Sequence, residues 1–231
     1  MSVRQQVMRF FLDVLYPPRC VGCRERGSWL CQRCLAATPR LPADHCRHCA
    51  IPMSGAAVCP DCWRDPPEFE QVSCAFLFEG PIRAAIHQLK YRGARHLAEP
   101  MVQAALTELS VPPSDLVVPV PLHPRRLAER GYNQSALLAQ ALSAITNLSL
   151  VDNALQRVKD TPAQVSLPGK ERWLNVRGAF HADPGAFAHQ SVLLLDDVAT
   201  TGSTLRAAAR AIKRSGARQV DALIMARAVI H

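Results

Sequence analysis

Residues 191 to 205, SVLLLDDVATTGSTL, run an apolar segment into two adjacent acids and then into hydroxyls around one glycine. Neither a buried strand nor a surface turn needs that order. Carried to the rim of a sheet, Asp196 and Asp197 can accept hydrogen bonds from neighbouring sugar hydroxyls, and one can meet Mg²⁺ directly or through water. Thr200, Thr201, Gly202, Ser203 and Thr204 then make a turn into a helix. Gly202 lets the main chain approach a ligand closely, and the amides and hydroxyls cradle a phosphate at the positive end of the helix dipole. Acids for a diol and a nest for an ester, a few residues apart, span a sugar phosphate. A plain capped helix would need only one Ser or Thr.

A second chemistry sits near the N-terminus. Cys20/Cys23, Cys31/Cys34, Cys46/Cys49 and Cys59/Cys62 are four Cys-x-x-Cys pairs, taking eight of the nine cysteines. A two-residue gap turns both thiolates toward one ion, and two pairs supply the four soft ligands of tetrahedral Zn²⁺. The eight thiolates suit two structural zinc ions. The surrounding segment is poor in large aliphatic residues, so metal binding would supply its folding free energy. A disulfide framework is the competing reading, but no export signal supports an oxidising compartment. Pairing can be sequential or crossed. His45 and His48 are bystanders, and Cys74, in QVSCAFLF, is a buried small hydrophobe. Arg19, Arg24, Arg26, Arg33, Arg40 and Arg47 interleave the cysteines, and Trp29 and Trp63 could stack on bases; packing within the module is the alternative.

These residues need elements to position them. The chain has 231 residues, 48 % hydrophobic, enough for one α/β domain plus a small appendage. Its formal charge of +8 favours polyanionic ligands. Residues 1–17 hold an amphipathic helix with Val3, Val7, Phe10, Phe11, Val14 and Leu15 on one face. It is too short to span a bilayer, so a cytoplasmic protein is expected. The cysteine module covers 18–66 and the larger domain 70–231. Strands are expected at 71–78, in DLVVPVPLH, at 191–196 and at 219–226, with helices after Pro81, at 95–109, in NQSALLAQALSAI and at 203–215. That alternation predicts a parallel sheet covered on both faces, with ligands beyond the carboxyl ends of its strands. A basic loop carrying Arg125, Arg126 and Arg130 follows Pro121 and is placed to neutralise a pyrophosphate. Lys90 and Arg92 add positive charge. His123 is either a general acid or a packed residue, and residues 159–176 read as a flap over the pocket.

The DD-x-x-TTG stretch resembles the 5-phosphoribosyl-1-pyrophosphate (PRPP) motif of type I phosphoribosyltransferases. With the cysteine pairs, LKYRG at 89–93, VPVPLHPRRLAERGYNQ at 118–134 and RVKDTPAQVSLPGKERWLNVRGAF at 157–180, the chain resembles the ComF family of competence-associated proteins, which includes the GntX-type DNA-utilisation proteins. The resemblance implies a double zinc ribbon before a phosphoribosyltransferase-like α/β domain, and Mg²⁺ bound with PRPP. It marks Arg157, Thr161, Gln164, Arg172 and Asn175 in the flap, from which Arg172 could close on the phosphates. It also implies a role with single-stranded DNA and DNA-uptake proteins on the cytoplasmic side. Three functions stay open: a phosphoribosyltransferase with an unknown acceptor, a non-catalytic PRPP sensor, and a DNA-handling protein.

Overall fold

The run Val192–Leu195 has no polar residue to turn toward water, so as a strand it must be covered on both faces. A computed structural model, which describes residues 17–160 and 178–229, places it so. Its elements in chain order are α1 (Gln32–Ala36), α2 (Pro60–Arg64), β1 (Val72–Leu77), α3 (Gly80–Tyr91), a 3₁₀ turn (Arg95–Leu97), α4 (Ala98–Glu108), β2 (Leu116–Pro119), α5 (Pro124–Arg130), α6 (Gln134–Thr146), β3 (Ser149–Leu150), β4 (Leu155–Arg157), β5 (Phe180–Ala182), β6 (Ser191–Ala199), α7 (Ser203–Arg214) and β7 (Gln219–Arg227). The main sheet is five-stranded in the order β1-β7-β6-β2-β3, with every pairing parallel. β4 and β5 form a separate antiparallel pair.

Side-chain alternation along the strands separates two cores. Leu193 and Leu195 join Ile82, Ile86, Leu89, Met101, Leu138 and Leu142, under α3, α4 and α6. Leu194 and Val192 join Leu205, Ala208, Ala209 and Ile212 of α7, with Phe180 and Phe187. The fold is therefore the expected one, a parallel sheet between helical layers. Among the described residues no helix is long and apolar enough to cross a membrane. The N-terminal helix and most of the flap, with Thr161, Gln164, Arg172 and Asn175, lie outside the described residues.

Two elements differ from the sequence reading. The basic stretch after Pro121 is not a loop. Pro124 occupies the first helical turn, the His123 ring accepts from the Arg125 amide at 3.3 Å, and Gly131 closes α5 at φ 77°. None of α5 is buried, so it leaves no apolar periodicity to detect. β6 also runs past residue 196 to Ala199, because β7 keeps pairing with it as far as Ala199 opposite Arg227.

The cysteine module has no core of its own size and leans on the domain. Cys20, Leu30 and Cys34 are buried in the same cluster as α3 and α4. The segment between the two ribbons runs along the outer edge of β1: the Leu41 amide bonds Ala75 O at 3.2 Å and the Leu77 amide bonds Pro39 O at 2.9 Å.

Candidate functional site

β2 stops pairing with β6 at Pro119 opposite Leu195, while β7 continues on the other side. β2 leads outward to β3 and β6 leads the opposite way to β7, so a crevice opens at this switch point. The next two residues of β6 are Asp196 and Asp197, both buried. The Ser135 hydroxyl, in the first turn of α6, donates to Asp196 Oδ1 at 2.7 Å, and the Asp197 amide donates to the same oxygen at 2.9 Å. Burial first, and then the charge of Asp197, pushes Asp196 up to about 7. Asp197 Oδ2 lies 2.7 Å from Lys90 Nζ, which reaches in from α3. Burial alone would pull that lysine down; Asp197 and then Asp196 hold it above its ordinary value. Lys90 thus stands where a cation is wanted by two carboxylates, an oxygen-rich set suited to a hard ion such as Mg²⁺.

Beyond Ala199 the chain turns through Thr200 and Thr201 to Gly202, at φ 77°, which begins α7 with no side-chain cap. The Thr201 and Ser203 hydroxyls are 2.7 Å apart. A Cβ at Gly202 would meet nothing within 4 Å, so the space over the turn is open to a ligand.

Lys90, Arg126 and Arg130 line one cleft of about 500 Å³ with Tyr91 and Tyr132. Arg130 bonds Gln134 Oε1 and lies over the Tyr91 ring. Arg125 sits apart, in a neighbouring cleft of about 450 Å³ with Glu129 and Asp160. Asp160 is 3.3 Å from Arg125 and 3.9 Å from Arg126 and from His123. Arg157 lies over the Phe180 ring, 5.5 Å from its centroid; burial and Arg126 pull its pKa down, Asp196 and Asp160 push back. A larger groove of about 770 Å³ starts at Ser203 and follows α7 past Arg206, Arg210 and Arg214, facing Lys159, Phe180 and His181.

The eight paired cysteines form two sequential groups, Cys20, Cys23, Cys31, Cys34 and Cys46, Cys49, Cys59, Cys62. Within each group all sulfurs lie within 4.8 Å of one another. Cys23 and Cys31 are 3.6 Å apart and Cys49 and Cys59 3.7 Å, close to the edge of a tetrahedron with ~2.3 Å zinc–sulfur bonds. The Cys31 amide donates to Cys20 Sγ and the Cys59 amide to Cys46 Sγ, each at 3.3 Å. A hydrogen bond from Cys62 holds Cys49 down to about 5. The donor sets fit zinc, in the sequential pairing. His45 bonds Pro42 O, outside both groups.

Family models match as a double zinc ribbon domain over residues 11–75 and a phosphoribosyl transferase domain over residues 129–228. Competence protein F of Haemophilus influenzae is 30 % identical over 226 residues, covering 91 % of this chain and 97 % of that protein. The chain belongs to the competence protein F (ComF) family. DNA utilization protein YhgH of Escherichia coli K12 is 31 % identical with the same coverage, and competence protein ComFC of Bacillus subtilis 27 % over 81 % of this chain and 79 % of its own. Glutamine PRPP amidotransferase of B. subtilis, solved with ADP and GMP, covers 60 % of the chain at a TM-score of 0.38 and 19 % identity.

In this ComF-family chain the sequence motifs missed Ser135, which holds Asp196. Asn133 starts α6 as the sequence reading has it: its side-chain oxygen caps the helix while its amide bonds Val120 O at 3.0 Å. The motifs also missed Arg206 and Arg227. Arg227 carried a signal, a lone charge inside the apolar run ALIMARAVI. Trp29 packs on the His96 ring at 3.8 Å, whereas Trp63 is 78 % exposed. Arg33 pairs with Glu25, and Arg40 pairs with Glu108 at 2.8 Å.

Proposed function

We propose that the crevice at the ends of β2 and β6 binds PRPP, or a related sugar phosphate, together with Mg²⁺, and that this binding serves the handling of single-stranded DNA in the cytoplasm during uptake or utilisation. The observation that carries it is the buried acid pair leading straight into an uncapped left-handed glycine turn at a helix start. Asp196 and Asp197 would take the ribose diol or the metal, and Thr200 to Thr204 the 5′-phosphate. Mg²⁺ would neutralise the pyrophosphate and fix its orientation. Arg126 and Arg130 share the cleft with Lys90 and would meet the remaining charge, displacing Lys90 from Asp197.

The DNA part rests on the names of the relatives and on charge. The groove along α7 is lined by Lys159, His181, Arg206, Arg210 and Arg214 beside the Phe180 ring, a basic track with an aromatic platform such as single strands use. Exposed Trp63 offers another stacking surface.

Titration calorimetry of the zinc-loaded protein with PRPP, with and without Mg²⁺, tests the pocket. Magnesium-dependent heat is expected from the native chain, and none from the Asp196→Asn, Asp197→Asn double variant. A native protein silent toward PRPP would sink the reading. Labelled single-stranded DNA should bind at low salt and dissociate as salt rises.

A further inference from the structure

The two cysteine groups are alike inside and unlike outside. The cation beside the first is Arg33, whose side chain is 68 % exposed and pairs with Glu25 at 3.0 Å. The second is met from the α/β domain. Arg206 Nη2 donates to Cys62 Sγ at 3.1 Å, and its Nη1 donates to Asp65 O at 2.6 Å. Arg227 is 3 % exposed, and its Nε and Nη1 have no hydrogen-bond partner among the described residues. Burial opposes its charge, while the sulfurs of Cys49, Cys74, Cys62 and Cys59 favour it. Four thiolates around Zn²⁺ leave a net charge of about −2. Arg206, whose Nη1 also lies 3.4 Å from Asp65 Oδ2, and Arg227 would offset part of it, and a buried arginine with idle N–H donors is otherwise costly.

Both arginines stand at the feet of the glycine turn. Arg206 is in the first turn of α7, its amide bonded to Gly202 O at 2.9 Å. Arg227 ends β7 opposite Ala199, the residue before Thr200, and the next amide, of Ala228, bonds Ala199 O at 2.9 Å. The exit from residues 200–202 is thus tied to the second thiolate group through Arg206, and buried Arg227 flanks their entry.

We infer that Arg206 and Arg227 are positioning residues that partly offset the charge of the zinc tetrathiolate of Cys46, Cys49, Cys59 and Cys62 and through it hold the 200–202 turn, so that zinc there and a sugar phosphate at the turn strengthen each other. The second half rests on the function proposed above. Coupling of this kind is reciprocal.

The experiment follows zinc loss from the full-length two-zinc protein under chelator by native mass spectrometry, with alkylation of the freed cysteines to show which group opens. Arg206→Gln is expected to release zinc from the second group about tenfold faster, the usual scale for losing a partner just outside a metal site, with the first group unchanged. Arg206→Lys should restore most of the retention, and Arg227→Lys, which keeps a charge where a neutral residue could prevent folding, should fall between. Amide exchange at residues 199–206 should rise when the second zinc leaves and stay flat when the first does. With Mg²⁺, PRPP should slow release from the second group alone. Equal release from Arg206→Gln and native protein, loop exchange indifferent to the second zinc, or equal PRPP heats in the one-zinc and two-zinc forms would each overturn the inference. If PRPP gave no heat at all while zinc release and loop exchange still responded to Arg206, the arginine tie would stand and the sugar-phosphate reading would fall.

Discussion

Asp196 and Asp197 are neighbours in sequence with opposite tasks in stability. Asp196 is buried, with a hydroxyl and an amide as its hydrogen-bond partners, and its pKa of about 7 lies above the ordinary 3.8. The native state therefore keeps a proton that the unfolded chain gives up, and stability falls as pH rises from about 4 to about 7. Asp196→Asn removes that burden and leaves an oxygen for Ser135. It is expected to stabilise the fold at pH 7 by about 2 kcal/mol, a rise in the calorimetric midpoint of roughly 4–8 °C, while losing magnesium–PRPP binding. Lys90→Met should act in the other direction. It leaves Asp197 buried without its cation, at a cost of about 2 kcal/mol, discounted because the lysine side chain is 21 % exposed. An unchanged midpoint in both variants would contradict this account. In native protein, affinity for Mg²⁺ with PRPP should rise between pH 6 and 8, as Asp196 gives up its proton. The acids were legible because they interrupt an apolar run. Lys90 on Asp197 was not, since only the packing of α3 beside β6 brings together residues so far apart in sequence.

At the scale of elements, the glycine turn leads into α7, which starts at Ser203 where the sequence reading starts it. Gly202 is left-handed, and nothing fills the space above it. Gly202→Ala should therefore fold, at about 1 kcal/mol for forcing a Cβ into that conformation, yet place a methyl where the proposed phosphate would sit. Calorimetry should show PRPP affinity reduced at least tenfold, ~1.4 kcal/mol, beside a small shift in the unfolding midpoint. Equal affinity would mean that the ligand does not approach the main chain there. The long strands and the helices α3, α4, α6 and α7 were readable because each buries a continuous face. α5 escaped because it buries nothing, and β4 and β5 because three residues each carry no period. Proline misled in VPLHPRRL: Pro124 starts a helix there rather than prolonging a loop.

For the whole molecule, the cysteine motif showed that metal would substitute for a core, but not that the module would share the core of its neighbour. Gly22 sits at that junction. A Cβ there would stand 2.7 Å from Cys34 Sγ and 3.3 Å from Pro81 Cβ. Gly22→Ala should speed zinc loss from the first cysteine group and lower the melting point, with retention in the second group unaltered; alkylation mapping against chelator time reads both. A further consequence comes from residues 39–41 lying against β1. β7, the partner of β1 within the sheet, lies at the far end of the domain sequence, so on the ribosome β1 emerges long before β7 exists. During that interval Pro39 and Leu41 are the hydrogen-bonding neighbours of β1 already made. A ribbon pair that has captured its metal would thus shield this strand from stray pairing in the nascent chain, and zinc-starved cells should accumulate the protein as aggregates formed during synthesis.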